Sequence, residues 1–164
     1  MDRIAALDAL YSAAQKKRLA KQYDVVLDDV LLLAALDGTT AEQSAAFRVV
    51  RAYTTLRVDL APLLPAMLAF LERGKPAQIE GALAVLQHQA HRVKHGTSPL
   101  AQPMLDAMPW IVKHSQRAAG KQTKTKVESQ ARSTLMAFIA MPPLTRAQRT
   151  KLEAALEASR DALR

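Results

Sequence analysis

Three features of this 164-residue sequence predict an all-α fold: a compact multi-helix bundle, or a stack of helical hairpins, with about eight helices and no sheet. Apolar residues recur at helical spacing in six separate stretches. Four of the five glycines stand where those patterns end, the position where glycine most often closes a helix. No stretch alternates convincingly with period two. Composition agrees. Apolar residues make up 49% of the chain and aromatics only 4%, so the core is drawn from Leu, Ala, Val, Ile and Met. Such a core suits close-packed helices better than strands, which favour β-branched and aromatic residues. The length fits one all-helical domain over residues 1–164.

The elements follow in chain order. Ile4, Leu7, Tyr11 and Ala14 form the first stripe. Asp24 is expected to cap a second segment that opens Val25-Val26-Leu27. Gly38 closes it. Thr39-Thr40-Ala41-Glu42 then reads as a capping box before the stripe Ala46, Val49, Val50, Tyr53, Leu56. Gly74 precedes Ile79, Leu83, Leu86, Ala90 and Val93. After Gly96, Ser98-Pro99 offers a cap and a first-turn proline for the stripe Met104, Leu105, Met108, Ile111, Val112. Residues 116–130 are rich in Lys, Thr, Gln and Ser, and read as a flexible basic loop or a fully exposed stretch of helix. Val127, Ala131, Leu135 and Phe138 make the next stripe. Thr145-Arg146-Ala147-Gln148 is a second capping box, opening Leu152, Ala155, Leu156, Ser159 and Leu163. Short turns make neighbouring helices antiparallel. The uneven glycine spacing carries no sequence repeat, so no solenoid is established.

Several function classes are disfavoured. The chain has no cysteine, hence no disulfide, thiolate nucleophile or thiolate metal site. Met1-Asp2-Arg3 opens a charged amphipathic segment, unlike a secretory signal. The longest apolar run, 61–71, is interrupted by Pro62 and Pro65 and falls short of the roughly 20 residues of a membrane span. A cytoplasmic protein with no membrane partner is expected, and heavy use of Ala, Leu and Arg suggests a bacterial or phage genome. Ala119-Gly120-Lys121-Gln122-Thr123 echoes a phosphate-binding loop but fails its pattern. Ser115 stands where the first glycine belongs, and Gln122 stands where Ser or Thr must follow the lysine. No framed catalytic serine and no paired carboxylates are identifiable. Asp24, Asp28 and Asp29 read as carboxylates favoured at a helix start.

Charge is the informative quantity. The net charge is +8 and unevenly placed. Residues 1–38 hold five basic and six acidic side chains, whereas residues 97–143 hold six and two. A one-sided excess is what a polyanion-binding surface needs, and it also serves plain solubility. Two clusters stand out. Lys113, Arg117, Lys121 and Lys124 fall within a sector of about 80° if one helix carries them, with Lys126 and Arg132 adjoining. His88, His91 and His95 share a sector of about 60° on another helix, beside Arg92 and Lys94. Three imidazoles spread over two turns rarely converge on one metal ion, so this strip reads as basic surface. Its continuation through Ala77, Gly81 and Ala84 would also admit a close-packed helix. With Trp110 the one aromatic near the basic cluster, backbone contact is favoured over base stacking.

The expected function is that of a non-enzymatic nucleic-acid-binding accessory or scaffold protein, a subunit of a larger complex, needing no cofactor or metal. Its phosphate contacts are Lys113, Arg117, Lys121, Lys124, Lys126 and Arg132, with His91, Arg92, Lys94 and His95 as a second strip. The alternative is a helical interaction module, an adaptor or inhibitor, whose basic face meets an acidic protein. The amphipathic segment 144–164 docks on the bundle or supplies a homodimer seam.

Overall fold

The computed structural model describes residues 2–116 and 125–161. Eight α-helices and one 3₁₀ turn account for the regular structure of these residues, and no strand occurs among them. The chain divides into two compact units, residues 1–66 and 67–164.

The first unit holds α1 (Arg3–Leu19), α2 (Asp29–Leu36), α3 (Thr40–Thr55) and the 3₁₀ turn Ala61–Leu63. Helix α3 is its centre. It buries Ala46, Val49, Val50 and Tyr53, and both α1 and α2 pack on it. Arg3 pairs with Glu42 at 3.1 Å and Arg48 with Asp8, so α1 and α3 run in the same direction. Helix α2 opens at Asp29. Asp28 is its cap, accepting from the Leu31 amide at 3.1 Å. The expected cap at Asp24 is therefore displaced by four residues. Asp24 instead accepts from Lys17 Nζ at 3.0 Å, and residues 22–28 form a connector with no regular structure. Thr39 caps α3 as its spacing predicts, through the Glu42 amide.

The second unit takes in most of α4 (Leu64–Arg73), then α5 (Pro76–Lys94), α6 (Gln102–Ser115), α7 (Lys126–Ile139) and α8 (Arg146–Asp161). Helix α7 packs against α5, α6 and α8 and buries Ala131, Thr134, Leu135 and Phe138. Phe138, fully buried, brings the largest side chain to this core. Thr134 Oγ1 lies 2.9 Å from Leu83 O, and Gln130 Nε2 donates to Gln87 Oε1 at 2.6 Å. One turn forward on α5 is one turn back on α7, so the two helices are antiparallel. Helix α6 begins at Gln102, not after Ser98. Ser98 is buried and accepts from Arg92 Nε at 2.9 Å, which removes it from the capping role expected of it.

The segment expected as a loop or exposed helix over 116–130 resolves differently where it is described. Helix α6 stops at Ser115, and residues 126–130 are the first turns of α7. Thr125 and Glu128 form a reciprocal capping box there, and Glu128 is buried. Residues 117–124, Gly120 included, lie outside the described residues.

Helix ends use glycine more selectively than their spacing suggests. Gly96 alone among the described glycines has positive φ, +72°, with the Thr97 amide bonded back to Arg92 O. Gly74 serves close approach, since a Cβ there would sit 2.5 Å from Phe70 O. Lys21 (φ 54°) and Arg57 (φ 59°) take the left-handed position after α1 and α3.

Candidate nucleic-acid interface

The division into units separates the charge completely. Residues 1–66 hold eight basic and eight acidic side chains, and residues 67–164 hold fifteen and seven. The whole excess of +8 thus belongs to the second unit. Of its eleven described basic side chains, eight are exposed. One acidic side chain, Glu128, is buried in the capping box.

The expected contact residues divide three ways. Arg117, Lys121 and Lys124 lie outside the described residues. His91, Lys94, His95, Lys113 and Lys126 are exposed. Arg92 and Arg132 are half-buried. Arg92 is occupied locally, with Nε on Ser98 Oγ and its terminal nitrogen 3.2 Å from Thr97 O. Its guanidinium holds the turn after α5. Arg132 Nε is buried with no hydrogen-bond partner among the described residues.

The antiparallel register of α5 and α7 brings Lys126 to the second strip, from which the sequence separates it by 31 residues or more. Contacts pair Leu83 with Thr134 and Gln87 with Gln130. The next turn brings His91 level with Lys126. Lys94 and His95 continue past that level at the end of α5, toward the side from which α7 starts. Four cationic or protonatable side chains therefore share one end of the α5–α7 pair. Lys113 lies in the last turn of α6, with its ammonium 5.1 Å from the centre of the Trp110 ring.

Helix electrostatics distinguishes these groups. His91, Arg92 and Lys94 occupy the last turn of α5, and Lys113 and His114 the last turn of α6, where the helix dipole itself favours positive charge. Lys126 is the first residue of α7, where the dipole disfavours it. Local helix stability therefore does not account for Lys126.

The histidine strip is split by burial. His88 is half-buried and engaged, whereas His91 and His95 are exposed. Among the described residues no three His, Asp or Glu side chains are placed to hold a metal ion. No described helix is long and apolar enough to cross a membrane.

Sequence reasoning missed one basic residue with a definite task. Arg149 donates from Nε to Ile139 O at 3.0 Å and from its terminal nitrogen to Met141 O at 2.8 Å. It thereby satisfies the last carbonyl of α7 and one in the turn that follows. A second feature is an apolar groove of about 570 Å³ between α6 and α8, with Leu105, Met108 and Val112 on one wall and Ala147 and Leu152 on the other. Lys151 and Gln148 lie on the same side as Ala147. The apolar face of α8 is otherwise used inside the unit, where Leu152 and Ala155 are buried.

No family model, curated protein or solved structure matches this chain.

Proposed function

We propose that the protein is a non-enzymatic accessory or scaffold subunit that binds nucleic acid through its phosphate backbone, using the second unit. The observation that carries this reading is the placement of the whole +8 excess on residues 67–164, with His91, Lys94, His95 and Lys126 gathered at one end of α5–α7. Lysines there neutralise phosphates and release counterions, which gives binding that weakens steeply with salt. Of the second unit's aromatic side chains, Phe138 is buried and Phe70 and Trp110 are half-buried, Trp110 against Lys113, so bases find little to stack on. Backbone contact, indifferent to sequence, follows.

The test is titration of a labelled duplex and a labelled single strand by anisotropy at several salt concentrations. Lys94→Glu and Lys126→Glu should each weaken duplex binding by about tenfold and flatten the salt slope by about one. Absence of binding at low salt would sink the reading. Binding untouched by both reversals would retain the function and discard this surface.

The groove between α6 and α8 favours a second reading, an interaction module for an acidic partner protein. An amphipathic helix laying its apolar face between Leu105, Met108 and Leu152 would bring acidic residues toward Lys151. Met108→Glu separates the two, since it should abolish such docking and leave nucleic-acid binding unchanged.

A further inference from the structure

We infer that residues 19–30 of the first unit form a self-association surface, at which the connector of one chain pairs antiparallel with that of a second copy. The inference rests on the first unit alone and is independent of the nucleic-acid reading.

Exposed apolar surface is concentrated here. Leu19 is 80% exposed, Tyr23 50%, Val26 86% and Val30 77%. Single exposed apolar residues are ordinary, but four large ones within twelve residues make a patch of the kind that marks an interface. The fifth exposed large apolar side chain among the described residues, Met136, is in the other unit.

The backbone is open as well. Residues 22–28 belong to no helix, and Val25, Val26 and Leu27 make no hydrogen bond among the described residues. Their β-branched and apolar side chains favour a strand, yet the unit contains none to pair with. Such a segment leaves backbone donors and acceptors open to a partner chain.

Charge selects the partner. Lys16, Lys17, Arg18 and Lys21 precede the connector, and Asp24, Asp28 and Asp29 lie within it or follow it. Lys17 already holds Asp24 within the chain. Lys16, Arg18 and Lys21 remain at one end, with Asp28 and Asp29 at the other. A wholly acidic or wholly basic partner would match one end and repel the other. A second copy, antiparallel about a two-fold axis through Val25, sets Lys21 of each chain against Asp29 of the other and keeps Val26 inside the pairing.

The test combines sedimentation equilibrium over a dilution series with amide hydrogen exchange of the intact chain. A concentration-dependent dimer is expected, with the Val25 to Leu27 amides slowing as it forms. Val26→Asp should raise the dimer dissociation constant by at least about tenfold while leaving the circular dichroism unchanged. A chain that stays monomeric at every concentration would overturn the inference. So would a dimer that Val26→Asp leaves intact and whose connector amides exchange as fast as in the monomer. Because the exchange measurement needs no substitution, the outcome does not depend on the variant's folding.

Discussion

At the scale of single residues, backbone conformation and burial decide what a side chain contributes. Lys21 closes α1 in the left-handed region, which costs a residue with a Cβ about 1 kcal/mol relative to glycine. Its side chain is exposed and makes no hydrogen bond or ion pair among the described residues. Lys21→Gly should therefore stabilise the protein by about 0.5–1 kcal/mol, read as a rise of about 1–4 °C in Tm. Arg57 shares the conformation, but its guanidinium stacks 4.4 Å over the Tyr23 ring, so glycine there loses a contact as well. Two ionisable groups give pH signatures of opposite sign. The hydrogen bond from Lys17 holds the Asp24 carboxyl below its ordinary 3.8, so its small stabilising contribution is present at neutral pH. It is lost as the pH falls through that lowered value. Burial of Tyr53, with Asp28 adding a minor push, raises its phenol above the ordinary 10.0. The neutral form is the one the fold favours. Its contribution is complete below about pH 10 and disappears as the pH climbs through the raised value. Thermal melts from about pH 8 to about pH 11 should show this fall, and Tyr53→Phe should lessen it.

At the scale of helices, capping and packing in the second unit converge on α7. Thr125 with Glu128 starts it, Arg149 finishes it, and Phe138 anchors it. Phe138→Ala leaves a cavity where the surroundings are fully buried, and should cost about 3–5 kcal/mol in urea unfolding. Arg149→Ala leaves two terminal carbonyls without their charged donor, and should cost about 1.5–3 kcal/mol. Lys126→Glu, by contrast, should leave stability unchanged or slightly raised, because a carboxylate suits the start of a helix. Melts of these variants beside binding titrations would separate the basic residues that hold the fold from those available to a ligand. The Thr125 cap was legible from its spacing to Glu128, but it was submerged in a polar stretch that reads as loop. The true start of α2 was less legible. Asp24 and Asp28 are both credible caps, and only the competing hold of Lys17 on Asp24 removes the first.

At the scale of the whole molecule, the separation of charge into a neutral unit and a basic unit sets the expected behaviour. Binding to polyanions should fall with salt as a power law, and reversals on the balanced first unit, such as Arg51→Glu, should leave it nearly unchanged. Anisotropy titrations of that variant beside Lys126→Glu test the division directly. The gradient of charge along the chain was visible beforehand, because counting charges needs no coordinates. Its boundary was not, because a unit is defined by which residues touch.

What the sequence determined by itself is local: helix content, most apolar stripes and the caps at Thr39 and Thr145. These depend on periodicity and on contacts three or four residues apart. Tertiary structure decided which of the charged residues are displayed. Arg92 and Arg149 are spent on backbone carbonyls and a buried serine, and Arg132 is half-buried. His91 and Lys126, distant in sequence, come level only through the antiparallel register of α5 and α7. A guanidinium looks the same in sequence whether it faces water or a carbonyl, and only packing distinguishes the two.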